Sequence, residues 1–261
     1  MATEFTMNEL NNLSSTEMDR RQLLRLGSLA GAGLLSGALL AGCGGSGSGT
    51  SSASSSESDQ SILGAAKIAE ALAVTMYTGL INGPIFATLP SNDKTYFIAA
   101  QSEEMFHYNL LKSVTGGSDA QLNYYFPTGM FTNPQTTFNT LVTLEEAFIA
   151  AYLDGVKSLS TPALRVIAAQ IMGVEAEHRV LARDAAGDLN LTTTTGLAGT
   201  AEPVNPPNNT VYESTYGVTT ISVAVTALTP FLSPSASFTV KGTFNPAFVP
   251  NGAGLFNNPP S

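Results

Sequence analysis

Ser102-Glu103-Glu104-Met105-Phe106-His107 and Val174-Glu175-Ala176-Glu177-His178-Arg179 decide how this chain is read. The two stretches contain both of its histidines, and each histidine has a glutamate three residues before it. In an α-helix that offset stacks the two side chains on one face. With 13 Glu among 261 residues, composition alone would produce one such pair about one time in twenty and both about once in 400. A carboxylate beside an imidazole is a donor set for a metal ion, and the single cysteine excludes a Cys-rich zinc site or an iron–sulfur cluster. Any metal is therefore held by oxygen and nitrogen.

Working outward, both motifs fall in the middle of amphipathic segments, and residues 61 to 188 divide into four of these. The first spans Ile62 to Asn82 and stops at Gly83-Pro84. Ser91 or Asn92 caps the second, which runs from Asp93 to Val114 and ends at Gly116-Gly117. Asn133-Pro134 opens the third, which ends near Lys157. Thr161-Pro162 opens the fourth, which ends at Gly187; both openings place a capping residue before a proline at the first helical position. Only the connection between the second and third segments is long enough to travel the length of a 22-residue helix, roughly 33 Å. One long crossover joining two antiparallel pairs is the ferritin-like form of a four-helix bundle, with simple up-down-up-down winding as the alternative from loop lengths alone.

Two Glu-x-x-His motifs complete a dinuclear site only if each of the other two helices adds a carboxylate. Glu70 shares its face with Leu63, Ala66, Ala73, Val74, Tyr77 and Ile81, interrupted only by Lys67. Glu145 shares its face with Phe138, Leu141, Val142, Phe148, Ile149 and Tyr152. The neighbouring Glu146 looks toward Asn139 and Thr143, so Glu145 is expected to be the buried one of the pair. The same test puts Phe97, Ala100 and Leu111 beside Glu104 and His107, and Ala168, Ile171, Met172 and Ala182 beside Glu175 and His178, with Arg179 at that stripe's edge. Each of the four glutamates lies about 11 to 13 residues from the helix end that faces its neighbour, so all four sit at one level. Glu70, Glu104, His107, Glu145, Glu175 and His178 are thus the expected metal ligands. Buried hydrogen-bonded pairs in a metal-free bundle are the alternative. Tyr77 and Tyr152, each seven residues after an expected ligand, read first as packing residues with a wet hydroxyl and second as donors to the ligands. Glu103 and Glu177 read as surface charges and Met172 as core filler.

The two ends of the chain read differently. Asp19-Arg20-Arg21-Gln22-Leu23-Leu24-Arg25 precedes a charge-free stretch from Leu26 to Gly42, the grammar of a twin-arginine export signal over residues 1–42. A lone transmembrane anchor is the alternative, although the run is short and glycine-rich for a bilayer span. Leu40-Ala41-Gly42-Cys43 is similar to the lipobox of bacterial lipoproteins, which makes Cys43 the expected lipidation site and the membrane contact. Without lipidation Cys43 is simply cleaved or buried. Residues 43–60 form a Gly/Ser linker, 61–188 the bundle, and 189–261 a Thr/Pro/Asn-rich extension. That extension is expected to be largely irregular and outside the bundle core, with Val218 to Leu232 forming either a strand or a short helix packed on the bundle. Twenty acidic against eleven basic residues give a net charge of -9, which repels phosphate backbones and argues against a nucleic-acid partner.

These residues resemble the ferritin-like domain proteins that include plant and bacterial desiccation-related proteins. The resemblance covers Ile62 to Asp188, with Leu144-Glu145, Ala150-Ala151-Tyr152 and Val174-Glu175-Ala176-Glu177-His178. It extends less fully to Tyr212-Glu213 and Leu228-Thr229-Pro230-Phe231 and is silent beyond Pro234. It implies a four-helix bundle with a di-metal centre.

The expected protein is therefore all-α: a ferritin-like bundle with one long crossover, exported to the periplasm or cell surface and tethered there through Cys43. Its expected cofactor is two iron ions, or manganese, with Fe(II) and O2 or peroxide as substrates. A manganese catalase-like enzyme and a non-catalytic envelope protein of desiccation or stress survival are the competing functions. The sequence leaves oligomerisation open.

Overall fold

The computed structural model describes residues 58–116, 119–205 and 221–249. The expected export signal, Cys43, most of the expected linker and Tyr212-Glu213 lie outside the described residues. Four long helices dominate: α1 (Asp59–Ile81), α3 (Ser91–Thr115), α4 (Pro134–Ser158) and α5 (Pro162–Asp188), with a short α2 (Pro84–Thr88) between the first two. Three of the four long helices start on a side-chain cap: the oxygens of Ser58, Asn133 and Thr161 accept the backbone N–H of Ser61, Thr136 and Leu164. Helix α1 begins three residues earlier than its apolar pattern, because Ser58 is the cap. Helix α3 departs from expectation in another way. Its N-cap is Pro90, with no side-chain hydrogen bond, and Ser91 and Asn92 are already helical. Gly116 ends α3 in the left-handed region at φ 57°, a conformation that a side chain resists.

Helices α1 and α3 pack as one pair and α4 and α5 as the other. Within the first pair, Gln60 at the start of α1 donates to the carbonyl of Thr115 at the end of α3, at 2.9 Å, so the two run antiparallel. Helices α1 and α4 are antiparallel as well: Tyr77 meets Glu145 while Tyr152 meets Glu70. Helices α3 and α4 therefore point the same way, and the chain between them must cross the length of the bundle. This is the ferritin-like topology expected from the sequence, and the up-down-up-down alternative falls away.

The crossover contains β1 (Asn123–Pro127), which sequence reasoning missed. It pairs antiparallel with β4 (Phe238–Thr243), with Tyr124 opposite Gly242 and Phe126 opposite Val240. A second small hairpin joins β2 (Thr193–Thr195) to β3 (Ala201–Pro203). Between them α6 (Ile221–Leu228) and a 3-10 turn (Thr229–Leu232) lie against the bundle, which settles the segment left open between strand and helix.

The extension corrects one expectation. Val204, Ile221, Leu228, Phe231 and Phe244 are buried in the same apolar cluster as the bundle helices. Ile221, Leu228 and Phe231 belong to the apolar segment expected to pack on the bundle, whereas Val204 and Phe244 come from loops with no period of their own, so the sequence pattern hid those two. Phe231 packs edge-on against both Phe126 of the crossover and Phe238 of the tail. Among the described residues, no helix is long and apolar enough to cross a membrane.

Gly242 is where the tail strand presses closest to the bundle. A Cβ added there would lie 2.5 Å from Thr75 Cγ2 and 2.8 Å from the Phe126 ring. Gly242→Ala is expected to cost about 1–3 kcal/mol through overpacking, read as a lower urea midpoint with an unchanged slope. An unchanged midpoint would mean that β4 does not seat on α1.

Candidate metal centre

Each expected ligand comes from the apolar face of its own helix, and the four faces converge at mid-height in the bundle. Glu70 on α1, Glu104 and His107 on α3, and Glu175 on α5 form one cluster. Glu104, Glu145 on α4, Glu175 and His178 on α5 form a second. Within each cluster one ligand atom per residue lies within 4.8 Å of every other, and all the residues are buried. The clusters have Glu104 and Glu175 in common.

The shared carboxylates are split between the two histidines. His107 Nδ1 lies 3.6 Å from Glu104 Oε2 and 3.3 Å from Glu175 Oε1. His178 Nδ1 lies 2.9 Å from Glu104 Oε1 and 3.1 Å from Glu175 Oε2. One oxygen of each shared glutamate thus faces each histidine, the disposition needed to bridge two ions. Glu70 Oε2 completes the first cluster at 3.5 Å from His107 Nδ1. Helices α3 and α5 run antiparallel here, which is why each motif's histidine meets the other motif's glutamate.

The electrostatics show how unsatisfied this arrangement is by itself. Burial drives the Glu104 carboxyl well above its usual range, and the nearby Glu175 and Glu70 carboxylates push it further. Burial likewise lifts Glu145 to about 8, with Glu175 adding to the shift against the pull of His178. Burial opposes charge on both imidazoles, yet the surrounding carboxylates outweigh it and raise His107 and His178 well above the ordinary histidine range. Even so, Glu70 Oε2, both oxygens of Glu104, Glu145 Oε2, Glu175 Oε1 and His107 Nδ1 are buried without a hydrogen-bond partner. Six orphaned donor atoms in so small a volume are rare in a folded interior. All of them are oxygen or imidazole nitrogen, the donors that iron and manganese accept. Fully ionised, the four carboxylates would carry four negative charges, which two divalent ions would balance with both histidines neutral.

Around these groups the structure revises several sequence readings. Tyr77 is fully buried and donates to Glu145 Oε1 at 2.6 Å, and Tyr152 donates to Glu70 Oε1. Their hydroxyls are not wet. They hold the two outer carboxylates in place, and burial raises both phenols well above the usual range.

Glu103, read as a surface charge, accepts a contact from His178 Nε2 at 2.9 Å and is only partly exposed. A carboxylate behind a histidine fixes the ring's orientation and strengthens it as a ligand. The pattern of α3 by itself gives no signal for this contact, because the partner comes from α5. Glu177 does lie at the surface, and Met172 packs at the core's edge.

Glu146 is as buried as Glu145, contrary to the expectation that only one of them would be. It pairs with Arg179 at 2.8 Å and accepts the Leu197 N–H at 2.7 Å, while Arg179 also reaches Glu202 on β3 at 2.8 Å. Arg179 is therefore not at the edge of a stripe but fully enclosed. It locks the β2–β3 hairpin to the helix that carries His178. Polar partners supplied by the tail cannot be read from a helical face.

Glu103→Gln is expected to weaken metal binding by about 10–100-fold while leaving the fold intact. Competition with a metal-responsive dye measures this, and an unchanged affinity would make Glu103 a bystander.

No curated protein and no solved structure matches the chain. A ferritin-like domain matches residues 58–188, about half of the 261 and the whole of the four-helix segment that carries the two clusters. The chain belongs to the ferritin-like domain family.

Proposed function

We propose that this chain is a di-metal oxidoreductase, with two irons as the resident ions, that oxidises Fe(II) or reduces O2 or peroxide. It is exported on the twin-arginine signal and held at the membrane through Cys43. One observation carries the metal reading above all others: Glu104 and Glu175 each turn one oxygen toward each histidine, so two sites are built with shared walls. A pair of redox-active ions supplies electron transfer and open coordination positions for a small oxidant.

The chain's own residues set the conditions for that chemistry. Glu70 with His107 would hold the outer side of one ion, and Glu145 with His178 the outer side of the other. Tyr77 and Tyr152 each occupy one oxygen of an outer carboxylate, leaving the second oxygen free to ligate. Glu103 keeps His178 turned with Nδ1 inward. The apolar walls, Phe97, Phe138 and Ala182 among them, keep bulk water out and strengthen every charge interaction inside. Manganese fits the same donors. A manganese-dependent peroxide disproportionation would then replace Fe(II) oxidation.

The test is turnover by the full chain loaded with Fe(II) or Mn(II), with O2 and with hydrogen peroxide. Glu104→Ala removes a shared wall and is expected to abolish turnover while far-UV circular dichroism stays helical. Undiminished turnover in that variant would refute the site. A wild-type chain that binds both ions but turns over neither oxidant would leave a structural metal and favour the stress-protection reading.

A further inference from the structure

Beyond Tyr152 the bundle interior is not fully packed. A partly open cavity of about 40 Å³ lies among the four long helices, α3 contributing Leu111, and is partly roofed by α6 of the C-terminal extension. Among the described residues that line it, Tyr152 alone has a polar side chain, and its hydroxyl is already committed to Glu70. The rest of the wall is aliphatic, aromatic or glycine: Ala66 and Ala69 on α1, Ala151 and Gly155 on α4, Ala224 and Val225 on α6. The lining runs from Leu159, just past the end of α4, through Gly155 and Tyr152 to Phe148, about three turns or roughly 16 Å. The cavity is therefore a narrow slot that stops one side chain short of the ligand clusters.

The size and the walls together select an occupant. Water needs two to four polar partners in such a space and the side chains that line it offer none, so the slot disfavours water. Hydrogen peroxide is disfavoured for the same reason, since it would give up its hydrogen bonds on entry. The volume exceeds the roughly 10–15 Å³ that a single water-sized molecule needs but falls well below the roughly 150 Å³ of a cavity that takes benzene. A small apolar molecule of diatomic girth fits both limits.

We propose that this slot is an antechamber for dioxygen, which α6 partly roofs and from which O2 reaches the Glu70 and His107 side of the site past Tyr152. The proposal rests on the oxidoreductase reading above and narrows it, because an apolar antechamber feeds O2 and not peroxide. It also gives the C-terminal extension a role, since α6 supplies Ile221, Ala224, Val225 and Leu228 to the apolar wall of the slot.

Xenon under pressure, followed by the methyl NMR shifts of Ala151, Ala168 and Val225 in the full chain, reads the slot whether or not metal is bound. Saturable shifts at these methyls are expected in the wild type, and their loss in Ala224→Phe, whose ring fills the slot from the roof. Gly155→Ala is the gentler variant. Its Cβ would lie 3.6 Å from Ala168 Cβ and 3.7 Å from Leu159 Cδ1, ordinary contacts that narrow the slot without a clash. It should weaken xenon binding even if Ala224→Phe does not fold.

In the Fe(II)-loaded chain the O2 concentration for half-maximal rate is expected to rise several-fold in the filled variants, at an unchanged maximal rate. The rate with hydrogen peroxide should not follow it. No xenon shift at these methyls, or xenon binding with unaltered O2 dependence, overturns the antechamber while leaving the metal site standing. A chain that takes up xenon but no metal defeats the oxidoreductase reading, and the antechamber's role with it.

Discussion

Glu70, Glu104, Glu145 and Glu175 are held out of water within reach of one another, and that concentration of like charge is the constraint to which the rest of the bundle answers. Isolated carboxylates in such a place cost several kcal/mol each. Protonated imidazoles can offset two of the four negative charges and two phenols can donate to the outer pair, yet six donor atoms remain unpartnered. A protein that needed only a stable core would have placed leucines here. Two divalent ions would match that charge and satisfy the unpartnered atoms.

That requirement reaches into the topology. The pairs Tyr77 with Glu145 and Tyr152 with Glu70 relate α1 to α4 as antiparallel neighbours, and His107 with Glu175 and His178 with Glu104 do the same for α3 and α5. Each half of the site is thus made by one residue set repeated about an approximate two-fold relation. Only a chain with one long crossover can deliver all four helices in these directions. The crossover in turn is a length of backbone that needs hydrogen-bond partners, and strand β4 from the far end of the chain supplies them to β1. The tail also provides Glu202 to Arg179, next to His178, so the C-terminal extension grips both the crossover and a helix that carries the ligands.

Much of this was legible in the residues alone. The two Glu-x-x-His spacings, the apolar faces around Glu70 and Glu145, and the proline- and glycine-marked helix ends are local patterns, and local patterns survive in a linear sequence. What escaped was non-local. Glu146 reads as half-exposed on its own helix because Arg179 and the Leu197 N–H, which bury it, arrive from elsewhere in the chain. Glu103 reads as solvated because its partner His178 lies on another helix. Val204 and Phe244 carry no period, since a loop residue packs wherever the chain happens to deliver it. Tyr77 and Tyr152 were placed on the correct faces, but their hydroxyls find partners only across the α1–α4 contact.

The measurement that bears most directly on the shared-wall site is metal content per chain, taken by mass spectrometry on protein purified without chelator and compared with a Glu104→Ala/Glu175→Ala variant. The account predicts close to two irons, or two manganese ions, per wild-type chain and neither in the variant, since both shared walls are gone. A folded wild-type chain that takes up no Fe(II) or Mn(II) when loaded anaerobically would contradict it.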